Sequence, residues 1–298
     1  CDYSQLQLLV SSLMDRFSED NVGLSLPSLR LDSFSLDILK EIEKVRKSGL
    51  TFAPEAGSQR LRDVINKGVT EEDLITAVSY AFKEGWSRIK LYFMLGLPTE
   101  TDEDVLGIRD LAYLVKDLFF KRPKEERRGN FSVTASASCF VPKPFTHFQW
   151  VKQDTIEEFK RKAHLVKDSI RDKRINFNYH DPELSYVEAV FARGDRRLGK
   201  ALLKAWEKGC KFDGWSEHFK YDLWLEAFEE AGIDGSFYAH RERDKDEIFP
   251  WDFIDIGVSK KFLYREYERA LAGETTDDCR IDCKGCGIRD CAMRGVFN

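Results

Sequence analysis

Four cysteines lie close together near the end of the sequence: Cys279, Cys283, Cys286 and Cys291. The first three have C-x3-C-x2-C spacing. Thiolates are soft ligands, and short spacing lets one loop surround an iron–sulfur cluster or a zinc ion. Structural zinc sites usually divide their ligands into two separated pairs. Four cysteines within one short loop therefore favour an iron–sulfur cluster, with zinc as the second alternative and unligated thiols as the third.

The other three cysteines, Cys1, Cys139 and Cys210, are scattered along the chain. Scattered thiols suit a reducing compartment, and no secretory signal opens the sequence, so a disulfide framework is disfavoured. We therefore expect a cytoplasmic protein. Because the sequence begins with Cys1 rather than methionine, we also expect it to be a piece of a longer protein.

Length and composition limit the possible classes of protein. The 298 residues are enough for more than one domain, since domains commonly contain about 100–200 residues. Hydrophobic residues make up 42% and charged residues 33%, which is typical of a globular protein. No apolar run approaches the ~20 residues of a membrane helix, so we expect no membrane partner. The formal net charge of -5 gives no overall attraction to nucleic acid.

Strand-like apolar runs alternate with helical patterns in the first half of the chain. Strands are predicted over 24–29, 50–53, 89–95 and 131–137, and helices over 36–47, 58–66, 71–84 and 103–120. A repeated strand-then-helix order predicts parallel strands in βα units. Thr70 with Asp73, and Thr101 with Asp104, have the spacing of a capping box at two of the helix starts.

Three segments of this half carry a family resemblance. They are residues 52–62 (FAPEAGSQRLR), 92–102 (YFMLGLPTETD) and 140–145 (FVPKPF). Together and in this order they resemble the later strands of a radical S-adenosylmethionine (SAM) barrel. The likeness is to the branch that contains methylthiotransferases and oxygen-independent coproporphyrinogen oxidases, particularly members with a cobalamin-binding domain upstream. It covers residues 1 to about 150, and the fold it implies is α/β, a partial (β/α) barrel.

The sequence departs from that family in one respect. Such enzymes hold a catalytic [4Fe-4S] cluster with three cysteines after the first barrel strand, which leaves one iron free to bind SAM. No C-x3-C-x2-C precedes Cys279 in this chain. The resemblance therefore implies that the catalytic cysteines lie upstream of the chain. The terminal quartet would then be a separate site that holds an auxiliary cluster or zinc.

The resemblance also implies which residues contact SAM. Glu55 matches the family's polar residue at the tip of the fourth strand, although it would equally suit a surface strand–helix turn. Ser58 is placed to contact the cofactor or, more simply, to cap the next helix. Arg60 is a candidate partner for the SAM carboxylate or an ordinary helix-surface residue. Gly96 and Pro98 would shape the fifth strand's exit beside the adenine ring, and turn geometry explains them almost as well.

The remainder of the sequence is predicted to be mainly helical. A strand over 174–178 is followed by helices over 184–192, 196–208, 217–231 and 259–272. Glu100 is expected to interact with the positive end of the next helix, and His147 to have a packing role. The predicted divisions are the partial barrel at 1–150, a closing helix and strand at 151–180, a helical domain at 181–272 and the four-cysteine metal-binding tail at 273–298.

Two classes of function remain in view. The first is the C-terminal part of a radical SAM enzyme, inactive alone, that acts with SAM, an upstream [4Fe-4S] cluster, an external reductant and, by resemblance, cobalamin. Its substrate, a small molecule or RNA, is not specified by the sequence. The second is a zinc- or cluster-binding interaction module for a protein or RNA partner, with no catalysis of its own.

Overall fold

The computed structural model of the chain describes residues 5–24, 49–279, 281–289 and 291. The strand predicted over 24–29, apart from its first residue, and the helix predicted over 36–47 lie outside the described residues. Within the described residues the strands are β1 (Leu50–Glu55), β2 (Arg88–Leu95), β3 (Ser132–Cys139) and β4 (Ile175–Tyr179).

Helices alternate with the four strands, and within the described residues only helices follow β4. In chain order the helices are α1 (Leu6–Phe17), α2 (Gln59–Val64), α3 (Glu71–Lys83), α4 (Asp102–Lys121), α5 (Ile156–Ser169), α6 (Pro182–Arg193), α7 (Leu198–Glu207), α8 (Tyr221–Glu230), α9 (Gly235–Ala239) and α10 (Lys260–Leu271). Both predicted capping boxes are present, at Thr70 before α3 and at Thr101 before α4.

The described strands form one parallel sheet in the order β1-β2-β3-β4. Sequence neighbours are therefore spatial neighbours, and each crossover contains a helix, as in consecutive units of a (β/α) barrel. The predicted α/β class and the partial βα fold are confirmed. The four predicted strands that lie within the described residues have the right positions, and the observed β1 and β3 each run two residues further towards their C-terminal ends.

One face of the sheet is packed beneath helices. Alternate strand residues such as Phe52, Leu91 and Val133 are fully buried in a core shared with α3, α4 and α5. The period of two in burial follows from the alternation of side chains along a strand. The helices that cover this face hold the strands in register. Within the described ranges the opposite face is open, with side chains such as Thr51, Lys90 and Asn176 at least partly exposed.

Helices α6 to α9 form a second apolar cluster, in which Val190, Ala201, Trp224 and Phe228 are buried. Helix α10 instead packs against α2, and Ala270 lies in one apolar cluster with Leu61 of α2. The segment that carries the terminal cysteines therefore starts beside the end of β1. No helix among the described residues is long and apolar enough to cross a membrane.

Candidate functional site

The open face of the sheet is polar. Thr51, Lys90, Thr134 and Asn176 are register partners across the four strands, and all are at least partly exposed. A second row joins Tyr92, Ser136 and Asn178, and a third joins Met94 and Ser138. A face lined with hydroxyl and amide groups cannot form an apolar core, but it can hydrogen-bond to a polar ligand.

Three strand exits contain non-glycine residues with a left-handed backbone. Glu55 ends β1 with φ of 69°, Thr99 follows β2 with φ of 66°, and Phe145 follows β3 with φ of 60°. Each such conformation costs on the order of 1–3 kcal/mol and persists only where surrounding contacts hold it, which is common in binding sites. The C-terminal ends of parallel strands are also where βα folds bind ligands. These exits are therefore the candidate active-site rim.

Glu55 lies at this rim next to a register shift between β1 and β2. Its carboxylate accepts a hydrogen bond from Lys67 Nζ at 2.8 Å, and both side chains remain 26% exposed. A partly exposed ion pair is held only weakly. The Glu55 carboxylate is therefore available to a ligand cation that can displace the lysine.

Ser58 and Arg60 both contact the carboxylate of Asp104. The Ser58 hydroxyl accepts a hydrogen bond from Leu61 N, so it caps α2, and it also donates to Asp104. Arg60 forms an ion pair with Asp104 and donates to the Thr99 carbonyl at 2.8 Å. These contacts join the β1 exit to the β2 exit. The predicted contacts of Ser58 and Arg60 with SAM stay predictions.

Asp104 is the buried centre of this network, and sequence reasoning identified it only as a capping residue. Burial alone would raise its pKa. The hydrogen bonds from Arg60, Ser58 and Thr101 outweigh that effect and lower the pKa of Asp104 to about 2. The carboxylate is therefore ionised at neutral pH and holds both loops through charge-assisted hydrogen bonds.

Gly96 has a positive φ of 82° at the end of β2. A Cβ there would lie 2.5 Å from the Phe159 ring and 3.0 Å from an Asp154 oxygen, so the position has no room for a side chain. The close neighbour in this structure is thus a ring of α5. Pro98 is partly buried in the same turn. Their predicted contact with adenine stays a prediction.

Glu100 has a different partner from the one expected. Its buried carboxylate accepts a hydrogen bond from Gly96 N at 2.8 Å and pairs with Lys162 of α5 at 2.9 Å, rather than with the start of α4. Lys162 also contacts Asp154 at 2.6 Å. Burial raises the pKa of Glu100, against the lowering effect of Lys162. The arrangement fastens the β2 exit to α5, and no local sequence signal indicates it.

The four terminal cysteines line a single cavity of about 720 Å³ beside the rim. Val64 and Asn66, which follow β1, and His147, which follows β3, line the same cavity. Asn66 fixes the tail through two hydrogen bonds with the Thr276 backbone, at 2.9 and 3.0 Å. The four predicted ligands thus line one cavity, together with residues that follow β1 and β3.

The described cysteines are free thiols. Among the residues that the structure describes, no three Cys, His, Asp or Glu side chains converge closely enough to hold one metal ion. The His147 ring contacts Phe148, as a packing residue would, and it also forms part of the cavity wall. Burial lowers the pKa of His147.

The comparisons with known proteins concern the part of the chain that contains the rim. Residues 2–112 match the Radical SAM superfamily. That segment includes β1, β2 and the start of α4, and hence Glu55, Asp104 and Gly96. Members of that superfamily are enzymes that use SAM and a [4Fe-4S] cluster for radical chemistry.

The chain also resembles an uncharacterized protein of Methanocaldococcus jannaschii, MJ0966. The two are 35% identical over 205 residues, which cover 67% of this chain and 41% of that protein. This chain therefore spans about two fifths of the relative's length.

The radical SAM match can be compared with the side chains present. The polar rim offers a carboxylate at Glu55 and hydroxyl and amide groups on the open face, which fit a zwitterionic, polar cofactor. The cluster ligands differ: the C-x3-C-x2-C run is formed by Cys279, Cys283 and Cys286 in the tail and occurs nowhere earlier in the sequence. The strand exits thus fit SAM but offer no cysteine triad for the catalytic cluster.

Proposed function

We propose that this chain is the SAM-side part of a radical SAM enzyme whose catalytic cluster is held by cysteines outside these 298 residues. The observation that carries the proposal is the coincidence of the superfamily match with β1 and β2, whose open face is polar and whose exits contain Glu55 and Thr99 in strained backbone. The partial coverage of the longer relative is consistent with it.

The residues of the rim have distinct roles in this proposal. Glu55 binds the SAM amino group by replacing its contact with Lys67. Ser58 and Arg60 are positioning residues, since Asp104 holds both and thereby sets the distance between the β1 and β2 exits. Gly96 and Pro98 shape the edge against which the adenine packs. When bound, the reduced [4Fe-4S] cluster supplies the electron for reductive cleavage of SAM.

The open face would hold the substrate. Its serine, threonine and asparagine side chains favour a polar substrate, either a small molecule or an RNA nucleotide, because each can donate and accept hydrogen bonds. A reductant for the cluster and, through the resemblance to the cobalamin-type branch, a cobalamin-binding domain would lie outside this chain. A cytoplasmic location belongs to the same proposal, because exposed free thiols and iron–sulfur chemistry suit a reducing compartment.

The proposal predicts that residues 1–298, reconstituted anaerobically with iron and sulfide and given dithionite and SAM, form no 5′-deoxyadenosine above the protein-free background. The longer parent protein should form it. In that parent, Glu55→Gln should weaken SAM binding roughly tenfold, the effect of losing about 1.4 kcal/mol from one charge-assisted contact. Equilibrium dialysis with labelled SAM measures the binding.

Glu125→Gln is the matched control, since Glu125 is exposed in a turn between α4 and β3, at the opposite end of the sheet. Its SAM affinity should equal that of the parent. Release of 5′-deoxyadenosine by residues 1–298 alone would show that the catalytic cluster is within this chain. An unchanged SAM affinity in Glu55→Gln would remove Glu55 from the binding site.

A second function, binding of a protein or RNA partner, has support from the exposed surface of the helical region. Trp206, Phe212 and Trp215 are each more than half exposed, and Lys211 Nζ lies 5.7 Å from the centre of the Trp206 ring. Exposed aromatic groups beside a cation suit a stacked base or an apolar partner surface. If residues 1–298 bound such a partner and the parent formed no 5′-deoxyadenosine, this second function would replace the first.

A further inference from the structure

The terminal cysteines share a cavity without the geometry of a single-ion site. In a tetrahedral zinc site with Zn–S bonds of about 2.3 Å, the ligand sulfurs lie only ~3.8 Å apart. No three potential ligands in the described part of the chain approach that arrangement. All four thiols nevertheless line the same 720 Å³ space. The cavity that they line has room for a group larger than one ion.

A polynuclear cluster suits four cysteines that line one cavity. In a [4Fe-4S] cluster each thiolate binds a different iron, so the four sulfurs are held around a cube rather than around a point. The cavity wall also has a large apolar component, from Val64, Phe262, Leu263 and Ala270. An apolar surround limits the access of solvent to a metal centre and so favours the persistence of a cluster.

Hydrogen bonds from residues of α10 and its N-cap hold the backbone of the cysteine loop. Ser259 N, at the start of α10, donates to the Cys286 carbonyl at 2.8 Å, and Arg265 donates to the Lys284 carbonyl at 2.6 Å. Gly285 and Gly287, on either side of Cys286, have φ values of 67° and 107°. A Cβ on Gly287 would lie 3.1 Å from Ser259, so the loop passes close to α10.

We propose that Cys279, Cys283, Cys286 and Cys291 bind an iron–sulfur cluster of the four-iron class, and that all four irons have a cysteine ligand. Such a cluster has no iron free for SAM and is separate from the one needed for SAM cleavage. His147 and Asn66 form the wall of this site and are not ligands. The inference does not rest on the proposed radical SAM function, because it follows from the tail and its cavity.

Metal analysis of residues 1–298 tests the proposal directly. After anaerobic reconstitution with ferrous iron and sulfide, we expect about four irons and four sulfides per chain and a brown chromophore. A parallel sample given zinc alone should not reach the stability of the iron-loaded protein in thermal unfolding. Uptake of one zinc with no stable iron, or of no metal at all, would overturn the proposal.

Variants separate the ligands from the other cysteines. Cys283→Ala and Cys286→Ala should each lower bound iron from about four atoms to less than one per chain. Cys210→Ala, a buried cysteine of the helical cluster, is the matched control and should retain the full cluster. Circular dichroism checks that each variant is folded. A folded Cys283→Ala protein that keeps four irons would contradict the ligand assignment.

SAM distinguishes a fully ligated cluster from an open one. Addition of SAM should leave the electron paramagnetic resonance spectrum of the reduced cluster in residues 1–298 unchanged. In Cys291→Ala, any three-cysteine cluster that remains should respond to SAM or to an added thiol. A spectrum of the unmodified chain that changes with SAM would mean that Cys291 is not a ligand. Formation of 5′-deoxyadenosine is measured separately, so failure of either proposal is recognised independently.

Discussion

At the scale of single residues, Asp104 connects the two strand exits on which the proposed SAM site depends. Its carboxylate caps α4 by accepting from Thr101 N at 2.8 Å, and it also accepts hydrogen bonds from Ser58 and Arg60. Ser58 in turn caps α2. One buried charge therefore organises two helix starts and a loop, and its removal would leave several donors without a partner.

Asp104→Asn should lower the free energy of unfolding at pH 6 by about 2 kcal/mol. The pKa of the Asp104 carboxyl falls from 3.8 to about 2 on folding, and each pKa unit corresponds to about 1.4 kcal/mol of stability. The lowered pKa means that the stabilisation is complete above pH 4 and is lost as pH falls towards 2. Urea unfolding at pH 6, 4 and 2 measures this. The wild-type protein should lose stability over that interval more steeply than the variant.

Asp110→Asn is the control for that measurement, because Asp110 is exposed on α4 and pairs only with its neighbour Arg109 among the contacts described. It should change the unfolding free energy by less than about 1 kcal/mol. Equal pH profiles for wild type and Asp104→Asn would mean that the Ser58 and Arg60 contacts contribute nothing to stability.

The sequence predicted the local half of this network and missed the rest. Thr101 and Asp104 are three residues apart, so their capping box can be recognised from spacing alone. Arg60 lies 44 residues from Asp104, and its contact depends on two parallel strands ending at the same edge. The same limit explains Glu100, whose partner Lys162 belongs to a helix that crosses the sheet later in the chain. A single sequence carries no signal for such pairs.

At the scale of elements, the ion pair between Glu100 and Lys162 attaches the β2 exit to α5. Both side chains are at least 93% buried, and Lys162 is also held by Asp154. Breaking a buried pair by removing one charge is costly, because the other charge remains without compensation. This attachment also keeps Phe159 against Gly96, which sets the shape of the rim.

Lys162→Met should destabilise the protein by about 3–5 kcal/mol, because it leaves Glu100 buried without its cation. The double variant Lys162→Met with Glu100→Gln should recover a large part of that loss, since the uncompensated charge is then gone. Chemical denaturation of the two single variants and the double variant gives the coupling. Additive losses would mean that the two residues stabilise the fold independently.

Lys160→Met provides the matched control two residues earlier, on the more exposed side of α5, where Lys160 pairs with Glu183. Its cost should remain below about 1 kcal/mol, as for other solvent-exposed pairs.

Element types were more predictable than their environment. The runs at 89–95 and 131–137 predicted β2 and β3, because buried strands leave a clear pattern of apolar residues. The same strands place Lys90, Tyr92 and Thr134 on an open polar face. The alternation of apolar and polar residues could not by itself assign that face to a ligand site, because a sheet with one face in water has the same alternation. Helix α1 was not predicted, and the residue at its N-cap, Gln5, makes no capping hydrogen bond with its side chain.

At the scale of the whole molecule, Arg193 joins the helical region to the loop that leaves the sheet. It is fully buried at the end of α6 and donates to three backbone carbonyls, those of Val151, Tyr238 and Arg241. Burial, together with the nearby Arg243 and Arg241, lowers the pKa of Arg193. One side chain thus satisfies three acceptors from two separate segments, and the predicted boundary near residue 181 is crossed by the contact with Val151.

Arg193→Met should lower the free energy of unfolding by about 3 kcal/mol, because three buried carbonyls lose their donor while side-chain volume is nearly kept. Hydrogen exchange should then accelerate in α6 and α9 more than in β3, since the lost contacts hold the helical region and not the sheet. Arg196→Met, an exposed neighbour, should change neither measurement. If exchange accelerated equally in β3 and α9, the two regions would unfold as one cooperative unit, and the division predicted at residue 181 would have no energetic meaning.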